Sequence, residues 1–343
     1  VHQQRVWYIM IYVDDLLIGT KTTSEMDELK RMIKERLPIT DKGPLTHYLN
    51  IWFERNRSKR TITLSQSIKI SKLLNDPQLS KEDLLVIRKP RKTPASSNTI
   101  LTFDMCPTDK QSGNTVYPYR SILGQVLYIA ITTRPDIVPA VSACGKFAEN
   151  PGKAHWDALL QILAYLHGTQ HLCLELGAFS KEITLSAYAD ADWAGDLDKR
   201  KSRSGYVVLC NDSPIIWSSK LQQSVALSST EAEYVSLSLA SREVIWCRTL
   251  LKELGFEQLN ATVIYEDNDS CIKIANSPRK HPGIKHIDIR YHFIKDRIES
   301  KEIILQRIPT TSMVADLFTK QLAVQLFEKH RDALRIVVKE RYL

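Results

Sequence analysis

Leu185-Ser186-Ala187-Tyr188-Ala189-Asp190 is a strand pattern that ends on an acid, and the order of elements after it sets the fold class. Downstream, the sequence predicts strands over residues 205–210 and 214–217 and a long helix over 229–254. Next come a strand over 262–266, helices over 268–275 and 287–298, a strand over 303–308 and a last helix after Thr311. Three strands, a helix, then alternating strands and helices describe a mixed α/β domain at residues 183–325 with a five-stranded mixed sheet.

Four acids fall at the ends of these elements. Asp190 closes the first strand, and Glu231 lies in the first turn of the long helix. Asp267 closes the fourth strand, and Asp316 lies in the first turn of the final helix. Hydrolysis of a phosphodiester needs an attacking hydroxide and a stabilised leaving oxygen, which two divalent ions held by converging carboxylates can supply. Hard oxygen ligands suit Mg²⁺, with Mn²⁺ as an alternative. Each acid also has a structural reading. Glu231 has the S-x-x-E spacing of a capping box with Ser228, and Asp267 and Asp316 sit where acids favour helix starts. Asp192 and Glu233 are second choices beside Asp190 and Glu231.

Upstream, residues 6–12 and 16–20 read as two apolar strands around Val13-Asp14-Asp15, a hairpin pattern. A helix with Ser24 as N-cap comes next, then a second hairpin across residues 56–60. Residues 1–87 form this first part. Residues 88–118, with Pro90, Pro94 and Pro107 among polar residues, read as a linker. Helices are expected over 119–131, 136–147 and 153–167 within a helical region at 119–178, and residues 326–343 as a C-terminal tail.

Composition fits this reading. The chain has 343 residues, 43% hydrophobic and 25% charged, a globular balance. Lys and Arg (47) exceed Asp and Glu (39), which favours a polyanionic partner. Six dispersed cysteines with no CxxC pair indicate neither a disulfide framework nor a zinc site. There is no signal peptide and no apolar run long enough to span a bilayer, so no membrane partner is expected. The chain opens inside a strand-like run and reads as a fragment.

Several motifs carry a resemblance. Tyr188-Ala189-Asp190-Ala191-Asp192-Trp193-Ala194-Gly195-Asp196, Lys201-Ser202-Arg203-Ser204-Gly205-Tyr206 and Trp217-Ser218-Ser219-Lys220 are three of them. Ala226-Leu227-Ser228-Ser229-Thr230-Glu231-Ala232-Glu233-Tyr234 is the most specific, and Ala315-Asp316-Leu317-Phe318-Thr319-Lys320 completes the series. Together they resemble the ribonuclease H domain at the C-terminal end of copia-type LTR retrotransposon Pol polyproteins. Tyr12-Val13-Asp14-Asp15 is similar to the reverse transcriptase turn that presents metal-binding aspartates, and Thr133-Arg134-Pro135-Asp136-Ile137 and His155-Trp156 match the region between the two activities.

The resemblance implies a truncated reverse-transcriptase palm and connection region followed by a ribonuclease H-like domain. It also implies metal-dependent cleavage of the RNA strand of RNA/DNA hybrids, with Asp190, Glu231, Asp267 and Asp316 holding two Mg²⁺ ions. Asp14 and Asp15 would be a reverse-transcriptase remnant, since a further palm aspartate and the fingers should precede residue 1. This chain alone is therefore not expected to polymerise DNA. A second reading is a non-catalytic nucleic-acid-binding remnant. Partners would be the hybrid and the remainder of the polyprotein, and the location a cytoplasmic virus-like particle in an active element. Lys199, Arg200, Lys201 and Arg203 are candidate phosphate contacts. Trp193, Trp217 and Trp246 fall in apolar patterns and read as core. No proton-shuttling role falls to His281, His286 or His292; His286 and His292 are expected to pack or hydrogen-bond.

Overall fold

The computed structural model describes residues 5–96, 100–108, 116–177, 182–277 and 288–338. His281 and His286 lie outside the described residues. The chain divides into two compact units, Val1–Phe53 and Glu54–Leu343. The boundary therefore falls inside the stretch expected as one piece at 1–87.

In the first unit, β1 (Tyr8–Tyr12) and β2 (Asp15–Gly19) pair antiparallel with Tyr12 opposite Asp15. Val13 turns the corner at φ 51°, a left-handed conformation that a β-branched residue adopts only under strain. Helix α1 (Thr23–Lys34) comes after it. Its N-cap is Thr22 rather than the expected Ser24: the Thr22 hydroxyl accepts the Glu25 amide at 3.2 Å, and the Glu25 carboxylate reaches back to the Lys21 amide at 3.1 Å. A short hairpin of β3 (His47–Tyr48) and the start of β4 (Ile51–Asn56) turns on Leu49 and Asn50, both at positive φ.

The second unit holds everything else. Arg60, at φ 52°, ends the turn whose Asn56 side chain accepts from Ser58 and Lys59, and leads into β5 (Thr61–Ser65). Helices α2 (Ser67–Leu74) and α3 (Lys81–Ile87) come next, α3 opened by a capping box between Ser80 and Asp83. The helical region is α4 (Tyr119–Thr132), α5 (Val138–Gly145) and α6 (Lys153–Gly168), close to the periodicity in sequence. Strand β6 (Leu172–Gly177) pairs antiparallel with β5.

The expected five-stranded mixed sheet is present. Strands β7 (Leu185–Asp192), β8 (Arg203–Cys210) and β9 (Ser213–Leu221) form an antiparallel meander. The long helix α7 (Ser229–Glu253) then crosses to β10 (Thr262–Glu266), which runs parallel to β7. After α8 (Asp269–Asn276) and α9 (Asp288–Glu299), β11 (Ile303–Arg307) adds parallel to β10, giving the order β11-β10-β7-β8-β9. Strand alternation sorts the two faces. Ala187, Ala189, Val208 and Ile264 pack against Leu237 and Val244 of α7. Val207 and Leu209, on the opposite face, join Leu317 and Phe318 of α10 (Asp316–Thr319) and the apolar residues of α4–α6.

That shared core corrects two expectations. The helical region does not stand apart from the sheet domain, because Val207, Leu209 and Phe318 belong to the same cluster as Ile122 and Leu163. Nor do residues 326–338, part of the expected C-terminal tail, stand apart from the core. Helix α11 (Val324–Ala333) buries Phe327, whose ring meets Tyr165 edge-on, and β12 (Ile336–Val338) pairs with β6. Apolar Phe327, Leu334 and Ile336 gain more from burial than a solvated end would allow. The described part of the linker is likewise pinned at two points: the Asp198 carboxylate accepts the Phe103 amide, and Pro107 O accepts from Asn150 Nδ2.

Candidate metal centre

Three acids converge where β7, β10 and α7 meet. Asp190 ends β7, directly across from Gly205 on β8. Asp267 follows the last residue of β10, and Glu233 points in from the second turn of α7. One carboxylate oxygen from each lies within 4.8 Å of the others. Asp316, at the start of α10, is buried nearby and pairs with Lys320 Nζ at 2.8 Å. The same ammonium lies 3.7 Å from Asp190 Oδ2.

Of the four expected acids, the structure brings Asp190 and Asp267 together and sets Asp316 beside them. It sends Glu231 elsewhere. Glu231 is the third residue of α7, where its amide donates to Ser228 Oγ at 3.1 Å and its carboxylate takes the Leu227 amide at 2.7 Å. Those are the bonds of a helix cap. Residues two apart on a helix point about 200° apart. A cap at 231 therefore turns 233 toward the sheet edge.

Glycine is required opposite Asp190. A Cβ at Gly205 would come within 2.6 Å of Thr319 Cγ2 and 2.8 Å of Phe318 Cβ. Its absence lets α10 lie against β8, so the Thr319 hydroxyl donates to Asp190 Oδ2. Thr310 Oγ1 donates to Asp267 Oδ2 at 2.7 Å, tying that acid to the segment after β11.

The electrostatics are those of a site with too much negative charge. Burial pushes Asp190 up to about 7, with Asp316 and Asp267 adding to the rise and Lys320 and Thr319 opposing it. Burial, then Glu266, Asp190 and Asp267, hold Glu233 well above the ordinary carboxylate range. Glu266 is also raised, first by burial and then by Asp267 and Asp190, against the Asn268 amide that hydrogen-bonds it. Lys320 is raised by the acids around it despite its own desolvation.

Sequence reasoning missed Glu266 and Lys320. The signal for Glu266 was strand alternation, since it shares a face with the buried Ile264. The signal for Lys320 was its spacing of four from Asp316. The basic loop divides. Lys199 and Arg200 are exposed, at a turn in which the Arg200 amide donates to Asp196 O, and Lys201 is half-buried. Arg203 turns inward, donating to Ser142 Oγ at 2.7 Å and Ser219 Oγ at 3.2 Å. Trp217 is half-buried with its indole N–H on Ala130 O, but Trp193 and Trp246 are 50% and 55% exposed rather than core. His292 is exposed on α9 and meets Tyr291 edge-on. In the first unit Asp14 and Asp15 are exposed on their hairpin, and among the described residues they join no group of three converging acids.

No protein-family model matches the chain. Among curated relatives, it is 38% identical over 322 residues to the retrovirus-related Pol polyprotein from transposon TNT 1-94 of Nicotiana tabacum, covering 93% of this chain and 24% of that one. It is 32% identical over 238 residues to a transposon Ty5-1 protein of Saccharomyces cerevisiae, covering 69% of this chain and 73% of that one. Among solved structures, LC11-RNase H1, isolated from compost by a metagenomic approach, matches with a TM-score of 0.32 at 15% identity, covering 43% of this chain and 96% of that one. The chain spans about a quarter of the length of the first of these relatives. None of the described helices is long and apolar enough to cross a membrane.

Proposed function

Since the chain belongs to the family of copia-type retrotransposon Pol polyproteins, we propose that its second unit is a ribonuclease H that hydrolyses the RNA strand of RNA/DNA hybrids. The observation that carries this reading is the convergence of Asp190, Glu233 and Asp267 within 4.8 Å. Glu233 replaces Glu231 in the set of ligands, and Asp316 completes it.

The residues fit a divalent pair. All donors are carboxylate oxygens, as Mg²⁺ prefers, and Glu233 Oε2 is buried with no hydrogen-bond partner. A buried, unsatisfied carboxylate oxygen is costly unless something binds it. Bound divalent ions supply an activated water and stabilise the leaving oxygen. The chain's part is positional. Thr319 and Thr310 fix the rotamers of Asp190 and Asp267, and Lys320 offsets repulsion among the acids. Exposed Lys199 and Arg200 remain the candidate phosphate contacts, and Arg203 leaves that set. The hybrid and the rest of the polyprotein are the proposed partners, in a cytoplasmic particle where the element is active. No polymerase activity is assigned to the chain alone.

The test is cleavage of a strand-labelled RNA/DNA hybrid by the purified chain in Mg²⁺ or in EDTA, beside Asp267→Asn. We expect cutting of the RNA strand only, lost in EDTA and in the variant. Hybrid binding without cutting by folded protein in Mg²⁺ would replace the nuclease with a binding remnant.

A further inference from the structure

A cavity of about 270 Å³ lies behind the carboxylate cluster, between the end of β7, the start of β8, α5 and the segment after α10. Its walls are largely apolar, with Leu101, Pro139, Ala143 and Leu322 among them. Asp192 and Arg203 also line it. These two are Cα partners in the β7–β8 ladder, so their side chains leave the sheet on the same face. The two charges attract each other across the strands, but no ion pair or hydrogen bond joins them among the described residues.

Arg203 instead gives one guanidinium nitrogen to Ser142 and Ser219, and among the described residues it forms no ion pair. The Asp192 carboxylate lies against Gly195 and, among the described residues, accepts no hydrogen bond. The remaining cations on the wall are already engaged. Lys146 bridges Asp196 and Asp198, and Lys320 serves Asp316 and Asp190. What the cavity leaves open is therefore one donor edge and one acceptor edge, side by side and of opposite charge, above an apolar floor.

We propose that this cavity binds a small, uncharged, planar heterocycle through a lactam edge, its carbonyl accepting from Arg203 and its neighbouring N–H donating to Asp192. Charge decides the class. An anionic head would be attracted by Arg203 but repelled by Asp192 opposite it, and a cationic head the reverse, so neither gains a net charge interaction. A lactam offers an acceptor and a donor on adjacent atoms with no net charge, and its ring body suits the apolar wall. The volume is just below the range of about 300–1,000 Å³ for small-molecule sites, which sets the limit near a fused ring pair. A group that fits the shape but leaves either polar edge unpaired loses the desolvation cost of that edge.

The experiment titrates the full chain, in EDTA, with carbostyril (the lactam of the quinoline ring), its N-methyl derivative and naphthoate, following protein-observed NMR shifts. Because no metal and no cleavage enter, the result is independent of the ribonuclease assay. The expected result is saturable sub-millimolar binding of carbostyril and at least tenfold weaker binding of the other two. Arg203→Met should weaken carbostyril by a similar factor. Ala143→Phe, which fills the cavity, should abolish binding while its melting curve shows it folded. The idea is overturned if folded wild type shows no saturable carbostyril binding. It is equally overturned by naphthoate or the N-methyl derivative binding as tightly, or by undiminished binding to either folded variant.

Discussion

Two regions of this chain carry acids in a strand-end setting, and folding treats them oppositely. Asp14 and Asp15 stand exposed at the β1–β2 turn. Asp190, Glu233 and Glu266 are buried at the end of the β7–β10 pair, with Lys320 as their cation. A hydrated carboxylate needs nothing from its surroundings. A buried group of them is stable only with protons or cations in place. The second region thus has a demand for protons or cations built into its packing, and the exposed pair has none.

The largest effect that separates them is catalytic. Asp190→Asn should lower hybrid cleavage by about a thousandfold or more, since it removes a ligand at the point where charge is stabilised. Asp14→Asn and Asp15→Asn should leave the rate within about twofold. Rates of all three on one labelled hybrid make the comparison, and a large loss in either hairpin variant would break it.

Next in size is the split between two glutamates two residues apart on α7. Glu233→Gln should reduce cleavage by about a hundredfold, with stability retained or raised by removal of a repelled charge. Glu231→Ala should do the reverse, lowering stability by about 1 kcal/mol through the freed Leu227 amide, with the Ser228 cap kept and most activity surviving. Urea melts and steady-state rates on both variants decide it. Equal loss of activity in the two would return Glu231 to the metal set.

This pair also shows how far the residues could be read in sequence. Strand and helix order after residue 183 carried the five-stranded sheet, because each element has its own apolar period. Ser228-Ser229-Thr230-Glu231 carried both a cap and a ligand reading, and spacing alone does not rank them. Only the destination of the Glu231 carboxylate, which accepts the Leu227 amide, does. The burial of 324–338 was illegible for another reason. It depends on Phe327 meeting Tyr165 and on β12 meeting β6, partners roughly 160 residues away in sequence. Arg203 likewise read as one more loop cation, because the Ser142 that turns it inward sits on a distant helix.

The pH dependence of stability sharpens the comparison at the level of a few kcal/mol. Asp190 is raised to about 7 in the folded chain, above its unfolded value, so between roughly pH 4 and 7 the folded state binds more protons than the unfolded one. Stability of the metal-free protein should therefore be greatest below that window and fall as pH rises through it, flattening above about 7. Mg²⁺ should restore much of the loss at pH 8 by binding the folded state. Asp190→Asn should flatten the profile. Urea midpoints in EDTA from pH 5 to 8 measure it, and a rise with pH in wild type would contradict the assignment.

The smallest effect concerns the hairpin, where stress takes another form. Val13 is held at φ 51°, and a β-branched side chain in that region is strained by about 1–2 kcal/mol. Asn tolerates left-handed backbone, so Val13→Asn should stabilise the β1–β2 hairpin by about 1 kcal/mol. Amide exchange in residues 8–19 should slow by about fivefold, while hybrid cleavage stays unchanged. In the carboxylate cluster the stored free energy is electrostatic, and a proton or a bound cation would relieve it. In the hairpin it is steric and local, so a single side chain relieves it and added Mg²⁺ should not. Slower exchange on adding Mg²⁺ to wild type would mean that the exposed aspartates bind metal themselves, and the contrast between the two regions would fail.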